Sequence, residues 1–131
     1  MEWTSQNPSP DVGTSVLYED DQVRIWDLRL EPGEKSLWHR HRYPYATVVL
    51  TAGNLIGEYD NVPKHVFRYR GGEIEVITGP GSRSWTHHIR NTSDRPWRNL
   101  VIEFKGDLLP SSEPGDIRPL TREEDRWPAD L

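Results

Sequence analysis

Short runs of alternating apolar and polar residues, separated by turn residues, dominate the chain from residue 16 to residue 106. In "QVRIWDLRL", Trp26, Leu28 and Leu30 share one face, whereas Asp27 and Arg29 fall on the other. A two-residue period is typical of a strand with one buried face. The comparable runs are "VLYED", "KSLWHRHRY", "YATVVLTAG", "NLIGEYD", "KHVFRYR", "EIEVIT", "RSWTHHIRN" and "RNLVIEFKG". Many short strands between Gly, Pro and Asn residues predict an all-β sandwich or barrel.

The two ends of the chain differ in composition from this strand-rich region. Residues 1–15 are rich in Ser, Pro, Asn and Gly, and they predict an N-terminal arm. Residues 107–131 combine proline with many acidic residues, and they predict an extended C-terminal tail with one helical turn after Thr121. A chain of 131 residues is typical of one domain, so residues 16–106 form the expected barrel.

Composition and charge exclude several classes of function. The net charge is -5 and no basic stripe is present, which argues against a nucleic-acid partner. The absence of cysteine excludes disulfides, thiolate metal sites and cysteine nucleophiles. No segment resembles a signal peptide or a membrane span, so we expect a cytoplasmic protein without a membrane partner.

The sequence "WHRHRY" places two of the five histidines one residue apart. In a strand, His39 and His41 would lie on the same face and Arg40 on the other. Two adjacent imidazoles suit a transition metal, although two strand histidines on a polar face are the simpler alternative.

The spacing around these histidines resembles the first motif of the cupin superfamily. Gly33 is followed by five residues and then His39-x-His41, and eleven further residues lead to Gly53. The pairs at 72–73 (Gly-Glu) and 80–81 (Pro-Gly) and the His-x3-Asn pattern at 87–91 resemble the second motif. More narrowly, the sequence is similar to small single-domain cupins associated with β-alanine degradation.

This resemblance implies a double-stranded β-helix, or jelly-roll, barrel whose motif histidines point inward to one metal ion. His39, His41 and His87 match the ligand positions of the motifs. His88 competes with His87, because a one-residue bulge would exchange the two side chains between faces.

The glutamate of the first motif is absent. Its position falls at Ala46, or at Tyr45 with the shorter spacing, and neither residue is a carboxylate. The remaining ligand set is similar to the three-His site of the thiol dioxygenases in this superfamily. Three neutral ligands leave the charge of a dication uncompensated and favour an anionic substrate.

Strand parity selects the neighbours of this site. Tyr43 has the parity of His41, while Tyr45 follows Pro44, which disturbs the phase. Arg83 has the parity of His87, as do Trp85 and Ile89. We expect a tyrosine, either Tyr43 or Tyr45, to donate a proton, and Arg83 to pair with a substrate carboxylate in an aromatic cavity.

These observations favour a metal-dependent enzyme that acts on a small organic substrate, with dioxygenase-type oxidoreductase chemistry ahead of isomerase, lyase or cyclase chemistry. Imidazole ligands suit Fe, which the thiol-dioxygenase resemblance favours, and also Zn, Ni or Cu. A non-catalytic ligand-binding cupin is the alternative class. In either case we expect a homodimer, because such barrels present a sheet edge and an aromatic surface.

Overall fold

The computed structural model describes residues 2–62, 64–79, 85–106 and the short strand at 117–118. In chain order the strands are β1 (Ser15–Glu19), β2 (Val23–Leu30), β3 (His39–Arg40), β4 (Tyr45–Val49), β5 (Gly53–Tyr59), β6 (His65–Tyr69), β7 (Ile74–Ile77), β8 (Thr86–Asn91), β9 (Trp97–Phe104) and β10 (Ile117–Arg118). No helix occurs in this part of the chain, which confirms the all-β prediction. Within the same residues, no helix is long and apolar enough to cross a membrane.

The strands form two antiparallel sheets. One has six strands in the order β1-β2-β9-β4-β7-β10, and the other has four in the order β3-β8-β5-β6. Strands that are distant in sequence are neighbours in both sheets, so residues from the two ends of the domain meet inside it. Side chains from both sheets line one interior cavity.

Alternation along the long strands sets which side chains enter the interior. In β9, Trp97, Asn99, Val101 and Glu103 are buried, while the residues between them are only partly buried. In β2, the apolar face predicted from the sequence is buried. The apolar positions therefore meet between the sheets, where burial stabilises the fold by about 25 cal/mol per Å² of apolar surface.

The predicted strand "KSLWHRHRY" is much shorter in the structure. Only His39 and Arg40 form the strand β3, and Lys35 contributes an isolated bridge to Arg90. Ser9 lies beside β3: its backbone N–H donates to the carbonyl of Trp38, and its carbonyl accepts from the N–H of Arg40. The N-terminal segment thus covers the edge that β3 would otherwise expose.

The N-terminal segment also reaches the core. Val12 is 2% exposed and packs with Trp26, Tyr45 and Val101. In the C-terminal segment, β10 pairs with β7, while the helical turn predicted after Thr121 lies outside the described residues.

Candidate metal centre

Three histidines converge on one point inside the barrel. His39 and His87 are direct partners in the β3–β8 pair, and His41 follows β3. One potential ligand atom of each lies within 4.8 Å of the others, and among the described residues these three form the group that could hold a metal ion. The cluster joins two distant parts of the chain, because His87 of the second motif follows His41 of the first motif by 46 residues.

The ring of His39 is held in one tautomer. Its Nδ1 atom lies 2.8 Å from the carbonyl oxygen of Leu37. Because a carbonyl can only accept, Nδ1 carries the proton and Nε2 presents a lone pair. A hydrogen bond of this kind to the second ring nitrogen is typical of metal-ligating histidines.

The nitrogen spacing within the cluster suits a shared cation. The Nε2 atoms of His41 and His87 are 3.1 Å apart. Two lone pairs at this distance repel each other, so a proton or a metal ion between them would stabilise the arrangement. The Nδ1 atom of His41 is buried and has no hydrogen-bond partner among the described residues, which leaves the ring orientation to packing.

Burial keeps two of the three imidazoles neutral. It lowers the pKa of His39 from 6.5 to about 4. Burial, together with the neighbouring His39 and His87 rings, holds the pKa of His41 well below 6.5. Neutral imidazoles are the form that binds a metal, so the donor set fits Fe, Zn, Ni or Cu and suits Mg or Ca poorly.

Two tyrosines form walls beside the histidines. The ring of Tyr45 stacks on His41 at a centroid distance of 3.9 Å and an angle of 10°. Tyr59 lies opposite His87 in the β5–β8 pair, with the two ring centroids 5.1 Å apart. Sequence reasoning missed Tyr59, because its inward position follows only from the pairing of β5 with β8.

Tyr45 and Ala46, the two candidate positions of the missing first-motif glutamate, differ in their orientation. Tyr45 faces the cavity and Ala46 does not, because the two residues alternate in β4. At this position of β4 the cavity is therefore lined by the aromatic ring of Tyr45 and not by a carboxylate ligand. Of the two tyrosines predicted as proton donors, Tyr45 lines the cavity with the histidines, whereas Tyr43 is not among the described residues that do.

The parity argument placed Tyr43 inward because it assumed one continuous strand. Instead, β3 ends at Arg40 and β4 begins at Tyr45, so the chain between them does not alternate. The guanidinium carbon of Arg42 lies 5.8 Å from the centroid of the Tyr43 ring. Arg83 lies outside the described residues, and its predicted role stays a prediction.

The cavity itself has a volume of about 150 Å³. It is largely apolar and aromatic, and the three histidines are among the residues that line it. Its lining residues are Val12, Leu28, His39, His41, Tyr45, Thr47, Val49, Leu55, Tyr59, Phe67, Tyr69, Glu75, Ile77, Trp85, His87, Ile89, Trp97, Asn99 and Val101. Trp85 and Ile89 lie there, as their parity with His87 predicts. Glu75 was not anticipated, because the alternation of "EIEVIT" does not reveal which face is inward.

His88 lies on the other face of β8 from His87. Its ring stacks on Trp38 at 4.1 Å with an interplanar angle of 16°, and its Nε2 atom is 3.4 Å from a carboxylate oxygen of Glu58. These contacts are made away from the cluster, so His87 is the residue that joins His39 and His41.

The buried acid Glu103 is occupied by structural contacts. Oε1 of Glu103 accepts hydrogen bonds from Trp26 Nε1 at 2.6 Å and from Arg24 Nε at 2.7 Å. A carboxylate of β9 that is held by two side-chain donors of β2 stabilises the pairing of these strands. Glu103 is also not among the described residues that line the cavity.

No family model and no curated protein matches the chain. Solved structures do match. A cupin domain from Bordetella pertussis is 25% identical, covers 70% of this chain and 91% of its own, and superposes with a TM-score of 0.63. A conserved protein with a double-stranded β-helix domain from Klebsiella pneumoniae is 15% identical over 92% of this chain and 96% of its own, with a TM-score of 0.54. A cupin-like protein from Thermotoga maritima is 20% identical over 86% of this chain and 80% of its own, with a TM-score of 0.53.

These likenesses confirm the double-stranded β-helix fold. The finer similarity to cupins associated with β-alanine degradation stays a prediction.

Proposed function

We propose that this chain, which has the cupin fold, is a metal-dependent enzyme that acts on a small, anionic organic substrate. The observation that carries the proposal is the convergence of His39, His41 and His87 within 4.8 Å beside an aromatic cavity. Two structural histidines on a polar strand face would not bring in a third from β8. Nor would they lie at 3% exposure each, as His39 and His41 do.

Iron is the ion that we favour. Zinc, nickel and copper, which also bind imidazole ligands well, are the alternatives. When bound, such an ion supplies Lewis-acid activation and, in the case of iron, redox chemistry with dioxygen. His39, His41 and His87 would hold it. Because all three ligands are neutral, the site would keep its full positive charge and attract an anionic donor group of the substrate.

The other residues of the site bind the substrate, orient the histidines and exclude water. The Tyr45 ring fixes the plane of His41, and its hydroxyl can donate a proton to a substrate in the cavity. Trp85 and Ile77 pack with Tyr45 at the same end of the cavity. Their apolar surfaces limit the access of bulk water and strengthen electrostatic interactions inside.

Dioxygenase-type oxidoreductase chemistry is the reaction class that we propose. Oxygen uptake by protein reconstituted anaerobically with Fe(II) tests it, with small thiols, diketones and keto acids as candidate substrates. We expect uptake that requires both iron and His39, with the His39→Ala variant as the control. Substrate conversion without oxygen uptake by the zinc form would contradict the oxidoreductase class and favour isomerase or lyase chemistry. Ligand binding that His39→Ala leaves unchanged would instead favour a non-catalytic binding protein.

A further inference from the structure

A second pocket lies beneath the N-terminal segment and is called here the outer pocket. It has a volume of about 270 Å³ and is bounded by residues 11–14, by the end of β2 and by residues 34–37. It opens to solvent, because several of the residues that line it are exposed at the surface. These are Asp11, Thr14, Arg29, Glu34, Lys35 and Leu37.

The outer pocket and the aromatic cavity have a common wall. Val12, Leu28 and His39 line both spaces, and all three residues are buried. Since the same residues bound both spaces, the wall is one residue thick at this point. His39, a member of the three-histidine cluster, therefore lies directly behind the outer pocket.

Val12 is the part of the wall that can move without disrupting the sheets. Leu28 is paired with Asn99 of β9, and His39 is paired with His87 of β8. Val12 belongs to the N-terminal segment and takes part in no strand pair among the described residues. Local opening of a segment with few backbone hydrogen bonds requires less free energy than separation of paired strands.

Two anchors hold the segment that carries Val12 against the barrel. Ser9 exchanges backbone hydrogen bonds with the chain at β3, and the N–H of Thr14 donates to the carbonyl of Asp27 at 2.7 Å. Val12 lies between these anchors and makes no backbone–backbone hydrogen bond with the described residues. Apolar packing of its side chain therefore keeps the wall closed.

We infer that the outer pocket is the route by which the substrate reaches the metal centre, and that Val12 is a specificity-determining residue that limits what passes. The inference rests on the proposed function, in which a substrate must reach histidines that are almost completely buried. Displacement of Val12 would join the outer pocket of about 270 Å³ to the cavity of about 150 Å³. The joined space exceeds the roughly 300 Å³ at which ordinary ligand sites begin, whereas neither space does so alone.

Chemical modification of His39 measures passage along this route. Diethyl pyrocarbonate modifies neutral imidazoles, and fragmentation mass spectrometry gives the rate at each histidine. The rate at His39 in metal-free protein is divided by the rate at His65, which is exposed at the start of β6. We expect Val12→Ala to raise this ratio about 10-fold, because the substitution removes two carbons from the wall.

Val101→Ala is the matched control. Val101 is buried, packs in the same apolar cluster as Val12 and lines the aromatic cavity, but it is not among the described residues that line the outer pocket. The same loss of side-chain volume should leave the His39 ratio near its wild-type value. Equal acceleration in both variants would indicate general loosening of the barrel and would overturn the inference, as would an unchanged ratio in Val12→Ala.

Val12→Leu keeps the test decisive if the smaller side chain prevents folding. The space on both sides of the wall can accommodate one additional carbon. The larger side chain should lower the His39 ratio below its wild-type value. A ratio at or above the wild-type value in Val12→Leu would overturn the inference.

Metal content separates this inference from the proposed function. Absence of metal from the wild-type protein would contradict the proposed function alone, because the modification is measured on metal-free protein and still decides the route. Stoichiometric metal together with a His39 ratio that does not respond to substitution of Val12 would overturn the route and leave the metal site in place.

Discussion

His39 and His87 face each other directly across the β3–β8 pair, with their ring centroids 4.6 Å apart and their planes at 78°. This register fixes which of the two adjacent histidines of β8 enters the barrel. His88 points to the opposite face, because successive side chains of a strand alternate. The two neighbours therefore have separate physical roles, which single substitutions can distinguish.

His87→Ala should abolish stoichiometric metal binding, because it removes one of the three converging imidazoles. His88→Ala should keep the metal and destabilise the fold by about 1 kcal/mol, because it removes the stacking contact with Trp38. Metal analysis and urea denaturation of both variants make the comparison. Loss of metal in His88→Ala with retention in His87→Ala would reverse the assignment.

Gly57 creates space for two aromatic walls of the cavity. A Cβ atom at this position would lie 3.0 Å from Cε2 of Phe67 and 3.1 Å from the ring and hydroxyl of Tyr59. We predict that Gly57→Ala destabilises the protein by about 1–3 kcal/mol through overpacking. The free energy of unfolding in urea measures this effect.

Gly106→Ala is the matched control, because the nearest atoms of the described residues that its added methyl group would meet belong to Gln22, at 3.7 Å or more. It should change the free energy of unfolding by less than about 0.5 kcal/mol. Equal stability of Gly57→Ala and Gly106→Ala would show that the aromatic walls are not tightly packed at Gly57.

Asp27 should make the fold sensitive to acid. Burial acts to raise the pKa of this carboxyl, but hydrogen bonds from Arg98 at 2.8 Å and Arg29 at 2.7 Å outweigh it and lower the pKa below 3.8. The unfolded chain then binds the proton more readily than the folded one. Stability from Asp27 is thus complete above the unfolded pKa, and it is lost as the pH falls through the folded value.

The comparison with Asp27→Asn isolates this contribution. The difference in free energy of unfolding between wild-type and variant should be constant near neutral pH and should shrink as the pH falls below about 4. Urea denaturation over this range measures it. A difference that does not change with pH would exclude an ionised Asp27 as the stabilising group.

The predicted homodimer has a candidate contact at the edge strand β1. Val16, Leu17 and Tyr18 are each between 45% and 53% exposed, and β1 lies at one end of the six-stranded sheet. A second copy that pairs with this edge across a two-fold axis would cover them. We predict a dimer in sedimentation at micromolar concentration, and a weaker one for Leu17→Lys. A monomeric wild-type protein would contradict this prediction.

Most of the strands and the first-motif histidines could be predicted from the sequence, whereas the extent of β3, the choice between His87 and His88, and the cavity wall could not. Two-residue alternation predicted the buried face of β2, and the resemblance to the two cupin motifs implied the convergence of His39, His41 and His87. Tyr59 and Glu75 could not be predicted, because their inward positions depend on which strands pair and in what register. Alternation also failed at Tyr43, because the chain between β3 and β4 is not a strand.

Metal content per chain is the most direct test of the three-His site. Inductively coupled plasma mass spectrometry on protein purified without a His-tag or chelator provides it, with His41→Ala as the variant and His65→Ala, on the exposed start of β6, as the control. We predict about one equivalent of a transition metal, preferably iron, in the wild-type protein and in His65→Ala. His41→Ala should contain none while its barrel stays folded. Wild-type protein that binds no metal even after reconstitution, or a His41→Ala variant with unchanged metal content, would contradict the site.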